Sequence, residues 1–229
     1  MKRLVAACAT ALIVACGGGS SPPSVDAAKV LHDGAAAMAQ WTTATATLKM
    51  AKGTITIQGL ALVKAQAAVR LPADSDTTYT VKQQDVTVGL QVVITSGHVY
   101  VRLPFTPLEE APPSLATSFP DMAKLFDPTT GLPAIVPAGN NPRYVSTDQV
   151  GGVSCYQVAT TYTADQVHSL LPQLSSNGPV AARVWVGVSD HQIRKAVLDG
   201  TFGDGGKEAA VEVDINGFDG PVTITSPSP

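Results

Sequence analysis

Val86-Thr87-Val88-Gly89-Leu90-Gln91-Val92-Val93-Ile94, then Ser96-Gly97, then Val99-Tyr100-Val101-Arg102-Leu103: this stretch decides the fold class. Val86, Val88, Leu90, Val92 and Ile94 fall at every second position, and the rhythm resumes at Val99, Val101 and Leu103. A period of two puts these side chains on one face of a hairpin, with Ser96-Gly97 as its turn. The rhythm recurs upstream. Ala44, Ala46, Leu48 and Met50 alternate with Thr43, Thr45, Thr47 and Lys49; Ile55 and Ile57 alternate with threonines; Ala65, Ala67, Val69 and Leu71 follow. Residues 72–77 are predicted as a polar turn. Further strands are predicted at 143–146, 153–162, 182–188, 193–200, 208–215 and 222–225. Alternation over so many successive segments predicts an antiparallel sheet with one apolar face and one wet face.

That apolar face needs a cover. A helix is predicted from Val25 to Trp41, with Val30, Leu31, Met38 and Trp41 near one face. Pro104 to Pro142 holds nine prolines and reads as irregular structure with short helices. Within it, Asp127-Pro128 is predicted to start a helix whose apolar face is Leu132, Ile135 and Val136. A third helix, Ala164 to Leu174, is N-capped by Thr163 and carries Val167, Leu170 and Leu171. The fold class is α+β: a single domain in which a strongly curved antiparallel β-sheet, a half-barrel, wraps over a few α-helices.

The first sixteen residues carry an address. Lys2 and Arg3 precede an apolar run, Leu4 to Val14, that is too short to span the roughly 30 Å hydrocarbon core of a bilayer. This is the layout of a secretory signal peptide, and Ile13-Val14-Ala15-Cys16 makes it a bacterial lipobox. The reading cuts between Ala15 and Cys16 and attaches lipid to Cys16. It divides the chain into a signal peptide at 1–15, a lipidated flexible Gly/Ser/Pro tether at 16–24 and one domain at 25–229. Cys155 is then the one remaining thiol, so a disulfide within the mature chain is impossible, and its strand-like setting reads as a buried small hydrophobe. A net charge of -3 without strong asymmetry leaves no electrostatic footprint for nucleic acid.

Catalytic chemistry is not indicated. His32, His98, His168 and His191 are scattered, with no ligand spacing for a metal. Gly151-Gly152-Val153-Ser154-Cys155 lacks the glycine spacing of a nucleophile elbow. Glu109-Glu110 reads as a solvated loop, and Gly203-Asp204-Gly205-Gly206 as a hairpin turn rather than a phosphate cradle. No catalytic residue, metal or cofactor is expected, and the chain is not read as an enzyme.

Four segments together resemble the mycobacterial LppX/LprA/LprF/LprG lipoprotein family. They are Leu125-Phe126-Asp127-Pro128-Thr129-Thr130-Gly131-Leu132, Val180 to Gly187 leading into Asp190 to Ala196, Gly97 to Val101, and Pro221 to Ile224. The resemblance implies an LprG-like cell-envelope protein, palmitate-bearing at Cys16, anchored at the outer face of the cell membrane or released from it. It implies an apolar cavity between sheet and helices that binds and transports multi-acyl lipids or glycolipids. The implied partners are the lipid ligand, the membrane and an envelope transporter or acceptor protein, with the chain itself a monomer. Family members carry no shared catalytic motif, so Cys16 alone transfers as a site residue. The stretch Asp74 to Gln84 departs from the family pattern in being longer and more polar.

Leu48, Met50, Ile55, Ile57, Val69, Val88, Leu90, Val92, Val99, Val101, Val184 and Val186 from the strands are the candidate cavity lining. Leu132, Ile135, Val136 and Leu170 from the helices join them. Alternation alone fits equally well an anchored envelope scaffold or adhesin whose core is filled and which has no lipid ligand.

Overall fold

The computed structural model describes residues 24–172 and 174–227, so the signal peptide, Ala15, Cys16 and nearly all of the tether lie outside the described residues. In chain order the strands are β1 (Thr43–Lys52), β2 (Thr56–Ile57), β3 (Leu60–Arg70), β4 (Asp74–Gln83), β5 (Val86–Thr95), β6 (His98–Arg102), β7 (Glu109–Glu110), β8 (Asn140–Val150), β9 (Val153–Tyr162), β10 (Val180–Gly187), β11 (Ile193–Gly203) and β12 (Lys207–Phe218). The helices are α1 (Ala27–Met38), α2 (Pro113–Ala116), α3 (Leu132–Ile135) and α4 (Ala164–Leu170). The strands form one open antiparallel sheet in the order β7-β6-β5-β4-β3-β1-β12-β11-β10-β9-β8, with β2 paired to β3.

The path explains the proline-rich stretch. From β1 the chain meanders outward to the edge strand β7, then crosses to the opposite edge, β8, and meanders back to β12, which pairs with β1. The crossing is made by α2, α3 and short three-ten turns. Proline cannot donate to a strand ladder, so a segment this rich in it bridges the two arms of the sheet instead of joining them. Register shifts occur in β1, β3, β8, β10 and β11, and such bulges bend strands and increase their twist.

Helix α1 is capped by the Asp26 carboxylate, which accepts from the Lys29 N–H at 3.0 Å. It sits close against the sheet at Gly34, where a Cβ would lie 3.0 Å from Ile193 and 3.2 Å from Val186. Beyond its end, the Trp41 indole donates to Gln192 Oε1 at 2.7 Å and stacks on Phe218. Helix α4 has the predicted Thr163 cap, completed by Gln166 as a reciprocal capping box.

Four expectations are corrected. Residues 74–77 are not a turn but the start of β4, whose inward positions Ser75, Thr77 and Tyr79 hide the apolar rhythm behind hydroxyls. Residues 222–225 form no strand. The chain turns away at Asp219, whose carboxylate accepts from the Thr42 N–H at 2.7 Å. Asp127 does not cap a helix, because α3 begins only at Leu132 with Gly131 as its N-cap. The first and third helices are also shorter than predicted, ending at Met38 and Leu170.

Candidate functional site

Residues directly opposite one another in a ladder share a face. Leu48 faces Ala65 and Val213, Met50 faces Val211, Tyr79 faces Leu90, Val92 faces Val101, and Val184 faces Val158 and Ala196. These belong to the inner face of the half-barrel. Their contacts resolve into three apolar clusters. The first lies under α1 and includes Leu31, Trp41, Val69, Phe126, Val136, Val158, Val184 and Val186. The second fills the β3–β6 arm with Tyr79, Val81, Leu90, Val92, Val101 and Phe119. The third joins α4 to the other arm through Val167, Tyr162, Val180, Phe202 and Val211.

Fifteen of the sixteen candidate lining residues fall in or against these clusters. Val69, Val136, Val184 and Val186 are buried in the first, with Leu132 packed beside them; Leu90, Val92 and Val101 are buried in the second, flanked by half-buried Ile57, Val88 and Val99. Ile55 and Ile135 pack on the third. Leu48 and Met50 are half-buried and touch both the second and the third, while Met122 touches the first and second. Leu170 joins none of them; Val167, one turn earlier on α4, takes that place. Sequence reading missed Tyr79 and Phe119, whose rings sit 6.2 Å apart, because neither lies in an alternating apolar run.

Among the described residues the buried polar side chains are Thr47, Ser75, Thr77, Thr95, Gln157 and Thr160, none of them charged. Burial pushes the Tyr79 and Tyr162 hydroxyls above the ordinary tyrosine range. The Tyr162 hydroxyl donates to the Val136 carbonyl at 3.0 Å, whereas Tyr79 Oη and Thr77 Oγ1, also on the inner face, have no partner among the described residues. The outer face carries the charges. Lys195 pairs with Glu212 at 2.8 Å and Lys49 with Asp214 at 3.5 Å, and the Trp185 indole donates to Asp148 at 3.0 Å. Cys155 is buried, and burial pushes its thiol up, away from reactivity. Among the described residues no group of histidine, cysteine or carboxylate side chains is placed to hold a metal ion.

The rim of the β3–β6 arm has a hollow of about 450 Å³, lined by Gln83, Gln84, Val86, Val88, Pro104 and Phe105. One of its lining residues, Val88, also packs on the second cluster.

The segments quoted for the family resemblance work at the opposite end. Gln192 orients Trp41, Phe126 lies 5.7 Å from the Trp41 ring, and Asp190 holds the β10–β11 turn by accepting from the Gln192 N–H and pairing with Arg194. The Asp127 carboxylate accepts from the hydroxyls and backbone N–H groups of Thr129 and Thr130, which holds its pKa at about 2. Because the folded value lies below the unfolded one, this contribution to stability is complete above about pH 4 and is lost as pH falls toward 2. Asp127→Asn is therefore expected to flatten the fall in melting temperature between pH 4 and 2 relative to wild type. Asp33, Asp74, Glu208 and Glu212 also have lowered values and titrate in both proteins, so the difference between the two curves isolates Asp127.

Comparison with known proteins agrees with this architecture. The sequence profile of the LppX_LprAFG lipoprotein family matches residues 26–224. The chain is 25% identical to the lipoarabinomannan carrier protein LprG of Mycolicibacterium smegmatis over 238 aligned positions, covering 100% of this chain and 96% of that protein. It is 24% identical to LprG of Mycobacterium leprae, over 68% of this chain and 62% of the relative. Among solved structures, LprF from Mycobacterium bovis superposes with a TM-score of 0.71 at 18% identity, covering 90% of this chain and 100% of LprF. LppX from Mycobacterium tuberculosis gives 0.62 at 16% identity, over 86% and 97%. At these identities the two structures show a shared fold.

Proposed function

Since this chain belongs to the LppX/LprA/LprF/LprG lipoprotein family, we propose that it is a membrane-anchored carrier that takes lipids or acylated glycolipids into the interior of its half-barrel and moves them across the cell envelope. The observation that carries the reading is the divided core. A solid domain of this size normally has one contiguous apolar core. Here three clusters meet through half-buried Leu48, Met50 and Met122. Apolar side chains that face inward and yet stay incompletely covered are what acyl chains would pack against. A dry apolar space offers water few partners and favours hydrocarbon. The LprG relatives are described as lipoarabinomannan carriers, which supports a lipid-linked glycan as the ligand class. In this reading Cys16 carries the acyl anchor at the outer face of the cell membrane, the protein works as a monomer, a transporter or acceptor protein receives the lipid, and no covalent step takes place on the cargo.

Organic extraction and native mass spectrometry of the purified protein test the reading, with co-purifying lipid the expected result. Leu48→Trp and Met50→Trp place bulk where the clusters meet. Each is expected to cut bound lipid about fivefold or more while unfolding free energy changes by less than about 1 kcal/mol, since a hollow accepts volume that a packed core rejects. A lipid-free wild type, or variants that lose several kcal/mol, would instead favour a scaffold with a filled core.

A further inference from the structure

Phe105 is placed unlike the other phenylalanines of this chain. Phe119, Phe126 and Phe202 are buried and Phe218 is half-buried, whereas Phe105 is 98% exposed. Its φ of +67° lies in the left-handed region, which a bulky side chain rarely adopts. The turn that imposes it is tied down. The Leu103 N–H donates to Thr106 Oγ1 at 3.0 Å, the Thr106 N–H donates to the Leu103 carbonyl at 3.1 Å, and Pro104 and Pro107 stiffen either side. Leu103 at 38% and Val86 at 60% exposure extend the apolar surface around the ring, and the hollow that reaches Val88 opens beside it. Register places Lys64, Lys82 and Arg102 on the outer face of the same arm, through the pairs Lys64 with Thr80, Lys82 with Thr87 and Arg102 with Gln91; Lys82 is paired with Asp85 at 3.8 Å, which leaves Lys64 and Arg102 as the cations of that face.

We infer that this tip docks on the surface of a lipid bilayer, with Phe105 among the acyl chains and Lys64 and Arg102 toward anionic headgroups, so that the hollow beside it faces the membrane. The inference rests on the carrier reading for its purpose and on three observations for its occupant. An exposed aromatic tip with Lys64 and Arg102 on the face behind it is chemically complementary to an anionic membrane interface. Val88, which lines the hollow beside the tip, packs on the apolar cluster of the same arm. Eight residue steps lead from the lipobox Cys16 to Ser24, a reach of at most about 29 Å. Ten-residue strands are about 33 Å long, so such a tether holds the body near the bilayer without choosing which end faces it. The apolar tip makes that choice. Burying one phenylalanine is worth roughly ten- to a hundredfold in partition.

Phe105→Trp in the full chain, mixed with vesicles of brominated phosphatidylcholine and phosphatidylglycerol, tests the contact directly, because the native Trp41 and Trp185 are buried. The added tryptophan is expected to shift to the blue and lose about half or more of its emission, whereas Val145→Trp on the exposed edge strand β8 stays unquenched. Phe105→Ser is expected to slow lipid transfer between vesicles about tenfold while leaving the melting temperature unchanged. A tryptophan at 105 that keeps water-like emission on vesicles overturns the inference, as does one shielded only when another envelope protein is added. An unaltered transfer rate in Phe105→Ser overturns it as well. Failure of the carrier reading shows differently, as absence of co-purifying lipid, and leaves the quenching result intact.

Discussion

Cys16→Ala is expected to move the protein from the detergent phase to the aqueous phase of a membrane partition, with about a hundredfold or greater loss of membrane binding. Each buried methylene of an acyl chain contributes about 0.8 kcal/mol, and one chain alone gives only marginal, reversible attachment. Stable anchoring takes two signals, which a diacylated cysteine supplies by itself. No described helix is long and apolar enough to cross a membrane in its place. The Phe105 tip adds a contact but falls short of two acyl chains. If the variant stays with the membrane at wild-type levels, Cys16 is not the anchor.

A large effect on stability is expected at Gly131. A Cβ there would stand 2.5 Å from the Leu125 carbonyl oxygen and 2.7 Å from both the N and the O of Asp127. All three are backbone atoms, and the Asp127 carboxylate, by gripping Thr129 and Thr130, leaves the loop no slack. Gly131→Ala should cost about 3 kcal/mol, the upper end for overpacking. In a domain of this length that lowers the melting temperature by roughly 10 °C. Gly97→Ala is the control. Gly97 also turns the chain, at φ +79°, but nothing lies within 4 Å of its would-be Cβ, so only backbone strain of about 1 kcal/mol applies. Equal losses at the two sites in thermal or urea unfolding would contradict the steric argument.

The contrast between β5 and β4 shows how far the sequence could be read. Val86 to Ile94 declares its inward face because each inward residue is aliphatic. Its neighbour β4 is just as regular and just as buried, but it turns Ser75 and Thr77 inward, so periodicity of hydrophobicity cannot detect it. Asp127 followed by proline carries every local signal of a helix start. The carboxylate instead spends its acceptor capacity on two threonines, and the helix waits for Leu132. The inward set of the candidate site was legible for a simple reason: pleating fixes which side a residue faces. Which inward residues touch depends on curvature set by bulges, so the split into three clusters, and the bridging place of Leu48 and Met50, had no signature. Phe105 had a faint one, an aromatic set between Pro104 and Pro107 with no alternating partner.

The pairing of β1 with β12 has a kinetic consequence. Ala44 lies opposite Phe218 and Met50 opposite Val211, so the first strand of the domain takes one of its two neighbours from the last. Each arm is a meander of local pairings, which form quickly, whereas closing a seam between distant parts of the chain is slow. For a polypeptide delivered from its amino end, β1 must wait with one edge unpaired until β12 has followed it out. The inner face of both arms stays open to solvent and to other chains until then, and this interval is when the protein is most exposed to aggregation.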